Sequence, residues 1–161
     1  MANCNPVATP LDINCQLHKT DMKAELADIT LYQQIIESLM HLIPGTRPDL
    51  AYTVSWLAQY STHPTKDHRG AAKHVLHYLK GTRNIKLTYE RLASTISASS
   101  TIMLSGYFDA DYANDKDNRK SYSEYTFALN GNTICWKLQK QRCVSTSTTE
   151  AEYIAMSIVA K

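Results

Sequence analysis

The chain has 161 residues, 43% of them apolar and 20% charged, with a formal charge of +2. That length suits one domain or two small ones, and so small a charge announces no nucleic-acid partner, so any basic surface must be local. No apolar run approaches the roughly 18 residues that span a bilayer, and the N-terminus lacks a charged-then-apolar leader, so the expectation is an intracellular protein, cytoplasmic or nuclear, not secreted and without a membrane partner.

Residues 1–23 read as irregular, because Pro6 and Pro10 limit regular structure. Cys4, Cys15, Cys135 and Cys143 form no C-x-x-C pair and read as reduced thiols, and His74 and His77 lack the further ligands of a zinc set. A first helix follows from the stripe Tyr32, Ile35, Ile36, Leu39, Leu42 and Ile43, with Asp28 or Thr30 as its cap and Pro44-Gly45 as its stop. Pro48 starts a second helix with Leu50, Val54, Leu57 and Ala58 buried, and His63-Pro64 ends it. Thr65 caps a third, over residues 66–80, with His68, Ala71, Ala72, Val75, Leu76 and Leu79 on its apolar side and Gly81 as a left-handed stop. Lys66, Arg69, Lys73, His77 and Lys80 fall in one narrow arc opposite. Such an arc suits a phosphate backbone, and equally a solvated helix face with favourable lysines near its C-terminus.

Ile85, Leu87 and Tyr89 alternate with polar residues as a short strand would, and the Ser/Thr/Ala-rich residues 91–101 read as a linker. The expected organisation is therefore a helical region over 1–90, the linker, and a second domain over 102–161. In that domain Ile102, Leu104, Gly106, Phe108, Ala110 and Tyr112 share one strand face and Asp109 and Asp111 the other. Tyr125, Phe127 and Leu129 follow, then the hairpin signal Asn130-Gly131, and Ile134, Trp136 and Leu138 answer from the return strand. Ser147-x-x-Glu150 and Thr149-x-x-Glu152 both fit a capping box opening a last helix.

Carboxylates at a strand end, facing one from a helix, are how hard oxygen ligands hold Mg²⁺ or Mn²⁺, and two such ions clamp the oxygens of a phosphodiester. A polar turn and a helix with acids in its first turn account for the same spacing. Periodicity does not choose between Glu150 and Glu152, which flank the helix's apolar stripe equally. Asp115 and Asp117 read as solvated loop acids.

Gly106-Tyr-Phe-Asp-Ala-Asp-Tyr-Ala-Asn-Asp115 resembles the Asp-Ala-Asp-Trp segment that opens the ribonuclease H domain of copia-type retrotransposon Pol polyproteins. Ser147-Thr-Thr-Glu-Ala-Glu-Tyr-Ile-Ala-Met156 is similar to that family's Ser-Ser-Thr-Glu-Ala-Glu-Tyr helix, and residues 32–41, 45–55 and 75–82 continue the likeness. The resemblance implies a mixed α and β fold. About three helices from the reverse transcriptase connection region come first, then a truncated ribonuclease H-like sheet of three antiparallel strands and a helix. It implies two-metal hydrolysis of the RNA strand of RNA–DNA hybrids, with Asp109 and Glu150 as catalytic metal ligands, Asp111 as an auxiliary ligand and the arc from Lys66 to Lys80 as the hybrid grip. The polymerase's own Asp-Asp pair has no counterpart here. The family's later strand with its third metal-binding Asp, and a fourth acid, have none either. Glu37 and Glu124 stand where the family has Gly, His41 where it has an aromatic, and Tyr112 where it has Trp. The expectation is thus a chain inactive in isolation, holding Mg²⁺ or Mn²⁺ weakly and open to completion or self-association at an unpaired sheet edge. The alternative is a non-catalytic remnant that binds nucleic acid weakly at most.

Overall fold

The computed structural model describes residues 4–12, 15, 17–18, 24–90, 102–115 and 117–160. They form two units, Met1–Lys86 and Leu87–Lys161, the first helical and the second a sheet with a helix.

In the first unit, α1 spans Ile29–Gly45. The Asp28 carboxylate caps it by accepting the Leu31 N–H at 3.1 Å. Its stripe buries Tyr32, Ile36 and Leu39, and the Tyr32 hydroxyl donates to the Leu57 carbonyl at 2.8 Å. The helix includes Pro44 and Gly45 rather than stopping before them. Proline's missing N–H costs one bond, and the chain leaves the helix only where the N–H groups of Thr46 and Arg47 both return to the Leu42 carbonyl.

Pro48 starts a short 3₁₀ turn, Pro48–Leu50, that runs into α2, Ala51–Ala58. This helix ends earlier than His63-Pro64, and tight turns from Trp56–Gln59 through Tyr60–His63 carry the chain onward. Then α3, Lys66–Gly81, begins at Thr65 with a capping box in which histidine replaces the usual Glu. The His68 N–H donates to Thr65 Oγ1, and the Thr65 N–H donates to His68 Nδ1 at 2.9 Å. The predicted stripe is buried at His68, Ala71, Ala72 and Val75, and Tyr78 joins it. Together these helices enclose one core around Tyr32, Leu39, Leu50, Val54, Leu57 and Val75. Burying each Leu or Val there is worth about 1.5–3 kcal/mol.

Two expectations for this region are corrected. Gly81 is helical and not a left-handed stop; among the described glycines only Gly131 has positive φ. Its lack of a side chain makes room instead, since a Cβ there would stand 3.0 Å from Pro6 Cβ. Residues 85–90 form no strand: Ile85 and Tyr89 lie in the open, so the alternation has no face to bury. The linker expected at 91–101 lies outside the described residues.

Buried Arg47 was not foreseen. Its Nε and Nη2 grip both oxygens of Asp49 at 3.0 and 2.8 Å, and its Nη1 and Nη2 donate to the carbonyl and hydroxyl of Thr82. The Tyr78 hydroxyl donates to Asp49 at 2.9 Å, and the guanidinium lies over its ring. The network ties the turn after α1 to the end of α3.

The second unit is an antiparallel sheet in the order β1 (Leu104–Asp111), β2 (Tyr122–Leu129), β3 (Asn132–Lys140), followed by α4, Thr148–Val159. Asn130 and Gly131 turn the hairpin with φ of 49° and 80°, the left-handed pair a tight turn of this hand requires. The register then breaks between Phe127 and Ala128, with Phe127 opposite Cys135 and Ala128 opposite Thr133, so Ile134 is extra. That bulge corrects the predicted facing. Trp136 and Leu138 stand opposite Thr126 and Glu124 and share the face of Asp109 and Asp111, not that of Tyr125 and Phe127. Gly106 is needed where the Phe127 ring crosses β1, since a Cβ would stand 2.6 Å from Phe127 Cε1.

Ser147 caps α4 by accepting the Glu150 N–H at 3.1 Å, and Ala151 and Ala155 are its buried residues. Buried Gln141 joins helix to sheet, donating to Ser123 Oγ at 2.8 Å and the Ala151 carbonyl at 3.0 Å while accepting from Ser145. Asp115 is not a solvated loop acid. It is 3% exposed, pairs with Lys140, and accepts the N–H groups of Asp117 and Asn118 at 3.0 Å.

Candidate functional site

Each unit carries one of the predicted sites. On α3 the basic arc lies opposite the buried stripe, so all five side chains project from one side of the helix. Lys73 is exposed and Arg69 and His77 are half-buried. The ends of the row are engaged: Lys66 pairs with Glu25, and Lys80 donates to the Cys4 carbonyl at 2.7 Å. Arg69, Lys73 and His77 therefore form the central stretch of the row, between its engaged ends.

The acids of the second unit divide between the two sides of the sheet. Phe108 lines a groove of about 530 Å³ with Thr148, Thr149, Glu152, Tyr153 and Met156 of α4. Ser123, on the same face as Ala110, shares Gln141 with the Ala151 carbonyl. The helix thus covers the Phe108 face, and strand alternation puts Asp109 and Asp111 on the other.

On that other face Glu124 stands directly opposite Asp109. Burial, and then the charges of Asp109 and Asp111, push the Glu124 carboxyl above its ordinary value. Like charges opposite one another cost stability, so Glu124 adds repulsion beside Asp109. Asp111 accepts from the Asn114 amide. Glu124 is the acid that sequence reading missed as a neighbour of Asp109, because the pairing of β1 with β2 is not fixed by any turn signal.

Glu150 is occupied locally. Its carboxylate accepts from the Thr146 hydroxyl and the Thr146 N–H, each at 2.6 Å, and these two bonds hold it below the ordinary Glu value. Glu152 reaches the β1 edge instead, with Oε1 3.4 Å from the Ala110 N–H. That places Glu152, not Glu150, at the backbone beside Asp109. Among the described residues no three His, Cys, Asp or Glu side chains come together as a metal-holding group. The donor set around Asp109 does not fit a divalent pair as it stands.

Several known proteins resemble the chain. It is 38% identical, over its whole length, to the retrovirus-related Pol polyprotein from transposon TNT 1-94 of Nicotiana tabacum, of which it spans 12%. It is 39% identical over 95% of its length to the Pol polyprotein from transposon RE2 of Arabidopsis thaliana, of which it spans 10%. A shorter relative, secreted RxLR effector protein 161 of Plasmopara viticola, is 41% identical over 78% of this chain and 84% of that protein. No protein-family model and no solved structure matches. The motifs of β1 and α4 and these alignments agree: the chain belongs to the copia-type retrovirus-related Pol polyproteins of transposons.

Proposed function

We propose that this chain is the stretch of Pol joining the reverse transcriptase connection to ribonuclease H, and that by itself it grips RNA–DNA hybrids weakly without cutting them. The central stretch of α3, Arg69, Lys73 and His77, holds the phosphate backbone, inside the cell. The observation that carries the inactive half of this reading is the division of the acids. Asp109 and Asp111 stand on the sheet face away from α4, while Glu150 is bound to Thr146. Mg²⁺ gives up its water reluctantly and needs several well-placed oxygens, so Mg²⁺ or Mn²⁺ binds Asp109, Asp111 and Glu150 loosely at best.

Titration with Mn²⁺, followed by paramagnetic broadening of amide signals, tests the metal half. Broadening centred on Asp109 and Glu150 together, at low metal concentration, contradicts it. A salt titration tests the grip: with Arg69 and Lys73 changed to Gln, hybrid affinity falls and its salt slope shrinks by about two. An unchanged slope removes the phosphate reading of α3.

One observation favours a second reading. The match to a short protein, spanning 84% of it, supports such a segment working as a chain in its own right. In that reading the second unit serves association rather than chemistry, with copies joining along the open edge of β1. Concentration-dependent sedimentation distinguishes the two.

A further inference from the structure

The described N-terminal residues lie along α3 in the opposite direction. The Cys4 carbonyl accepts from Lys80 Nζ at 2.7 Å, and the Thr9 carbonyl lies 3.0 Å from His74 Nε2. Between them Pro6 and Val7 press on Gly81, where a Cβ would meet Pro6 Cβ at 3.0 Å and the Val7 carbonyl oxygen at 3.3 Å. Further along, Leu11, Asp12 and Cys15 face Lys66, Gly70 and Ala71 across a cavity of about 420 Å³. At 3.6 residues per turn, Gly70, His74 and Gly81 occupy the flank of α3 next to the arc of Lys66, Arg69, Lys73, His77 and Lys80. The segment therefore borders the basic row and takes its last lysine.

We propose that residues 4–12 are a releasable strap that competes with a nucleic-acid phosphate backbone for α3, withholding Lys80 while it lies in place. This rests on the phosphate reading of α3. The strap is suited to lifting. Pro6 and Pro10 keep it out of the helix's own hydrogen bonding, and its carbonyls hold Lys80 and His74 by bonds that a phosphate oxygen replaces in kind.

Gly81 supplies a lever. Alanine there strengthens α3, since Ala is the better helix former, while its methyl group intrudes on Pro6. A second lever is Val7→Asp, which removes the strap's apolar seat on the core. Hybrid affinity is measured against salt for the wild-type chain, Gly81→Ala, Val7→Asp, Lys80→Gln and the Gly81→Ala/Lys80→Gln pair, with amide shifts of residues 7–9 reporting the strap's position. The strap predicts several-fold tighter binding by Gly81→Ala and Val7→Asp, and a salt slope steeper by about one. In the pair, Lys80→Gln cancels the gain. Wild-type affinity in a variant whose strap shifts have moved overturns the proposal, as does equal weakening by Lys80→Gln with and without Gly81→Ala. Absence of hybrid binding by every chain overturns the reading of α3 itself, a different result from binding that ignores the strap.

Discussion

Arg47→Ala should unfold the first unit more easily than any surface change in it. The guanidinium makes four hydrogen bonds, two to Asp49 and two to Thr82, from a side chain 7% exposed. Burial alone would push the Asp49 carboxyl up, but the hydrogen bonds from Arg47 and Tyr78 outweigh it and hold it below its ordinary value. Without Arg47 that carboxylate keeps only the Tyr78 hydroxyl among these partners. Breaking a fully buried pair costs about 3–5 kcal/mol; Asp49 stays 33% exposed to water, so about 2–3 kcal/mol is expected here. The chain's two tryptophans make the assay local, with Trp56 in α2 and Trp136 in β3. In a Trp136→Phe background, guanidinium unfolding read by Trp56 fluorescence reports the first unit. Arg47→Ala and Asp49→Ala should couple, the double variant costing less than the sum by about 1–2 kcal/mol. A cost below about 0.5 kcal/mol, or simple additivity, would refute the account of Arg47 as a staple.

Asp115 predicts a pH dependence in the second unit. Burial raises its carboxyl, but the Lys140 hydrogen bond, the Asn118 and Asp117 N–H groups and the Lys140 charge bring it below the ordinary value. A depressed folded value means that the unfolded chain takes up the proton first. The stability Asp115 contributes is therefore present above the ordinary carboxylate value of about 3.9 and lost as pH falls through the lower folded one. Trp136-monitored unfolding between neutral pH and pH 3 should show that loss in the wild type and a smaller one in Asp115→Asn; parallel profiles would exclude it. Gly106→Val should destabilise the same unit by about 1–3 kcal/mol through collision with Phe127, with partial recovery in Gly106→Val/Phe127→Ala. No recovery would mean that strain in β1 itself, rather than the Phe127 ring, sets the cost.

The parts of the fold legible in the sequence are those whose signal is local. The stripe from Tyr32 to Leu39 announces α1, Asp28 and Thr65 supply side-chain caps where predicted, and Asn130-Gly131 turns the hairpin. What escaped depends on distant partners. Ile134, Trp136 and Leu138 alternate in sequence, but the bulge beside Phe127 slips the register by one and sends Trp136 and Leu138 to the acidic face. The alternation at Ile85, Leu87 and Tyr89 is as regular as a strand's, yet among the described residues no neighbouring strand receives it. Asp115 reads as a solvated loop acid and Arg47 gives no local signal, because Lys140 and Thr82, which hold them, lie 25 and 35 residues away.

The candidate site was legible as a set of residue types and not as an arrangement. The motifs pick out Asp109 and Glu150. Strand pairing puts Glu124 opposite the first, and Thr146 engages the second. Glu152, left equal to Glu150 by periodicity, is the helix acid that reaches the β1 backbone.

The most direct test of the central claim is a cleavage assay on a labelled RNA–DNA hybrid, with Mg²⁺ and with Mn²⁺, comparing the wild-type chain with Asp109→Asn and Glu150→Gln. The account predicts binding without cutting, so that all three chains leave the RNA strand intact. Cleavage by the wild type that Asp109→Asn abolishes would contradict it, because the acids would then have gathered into a working centre despite their division across the sheet.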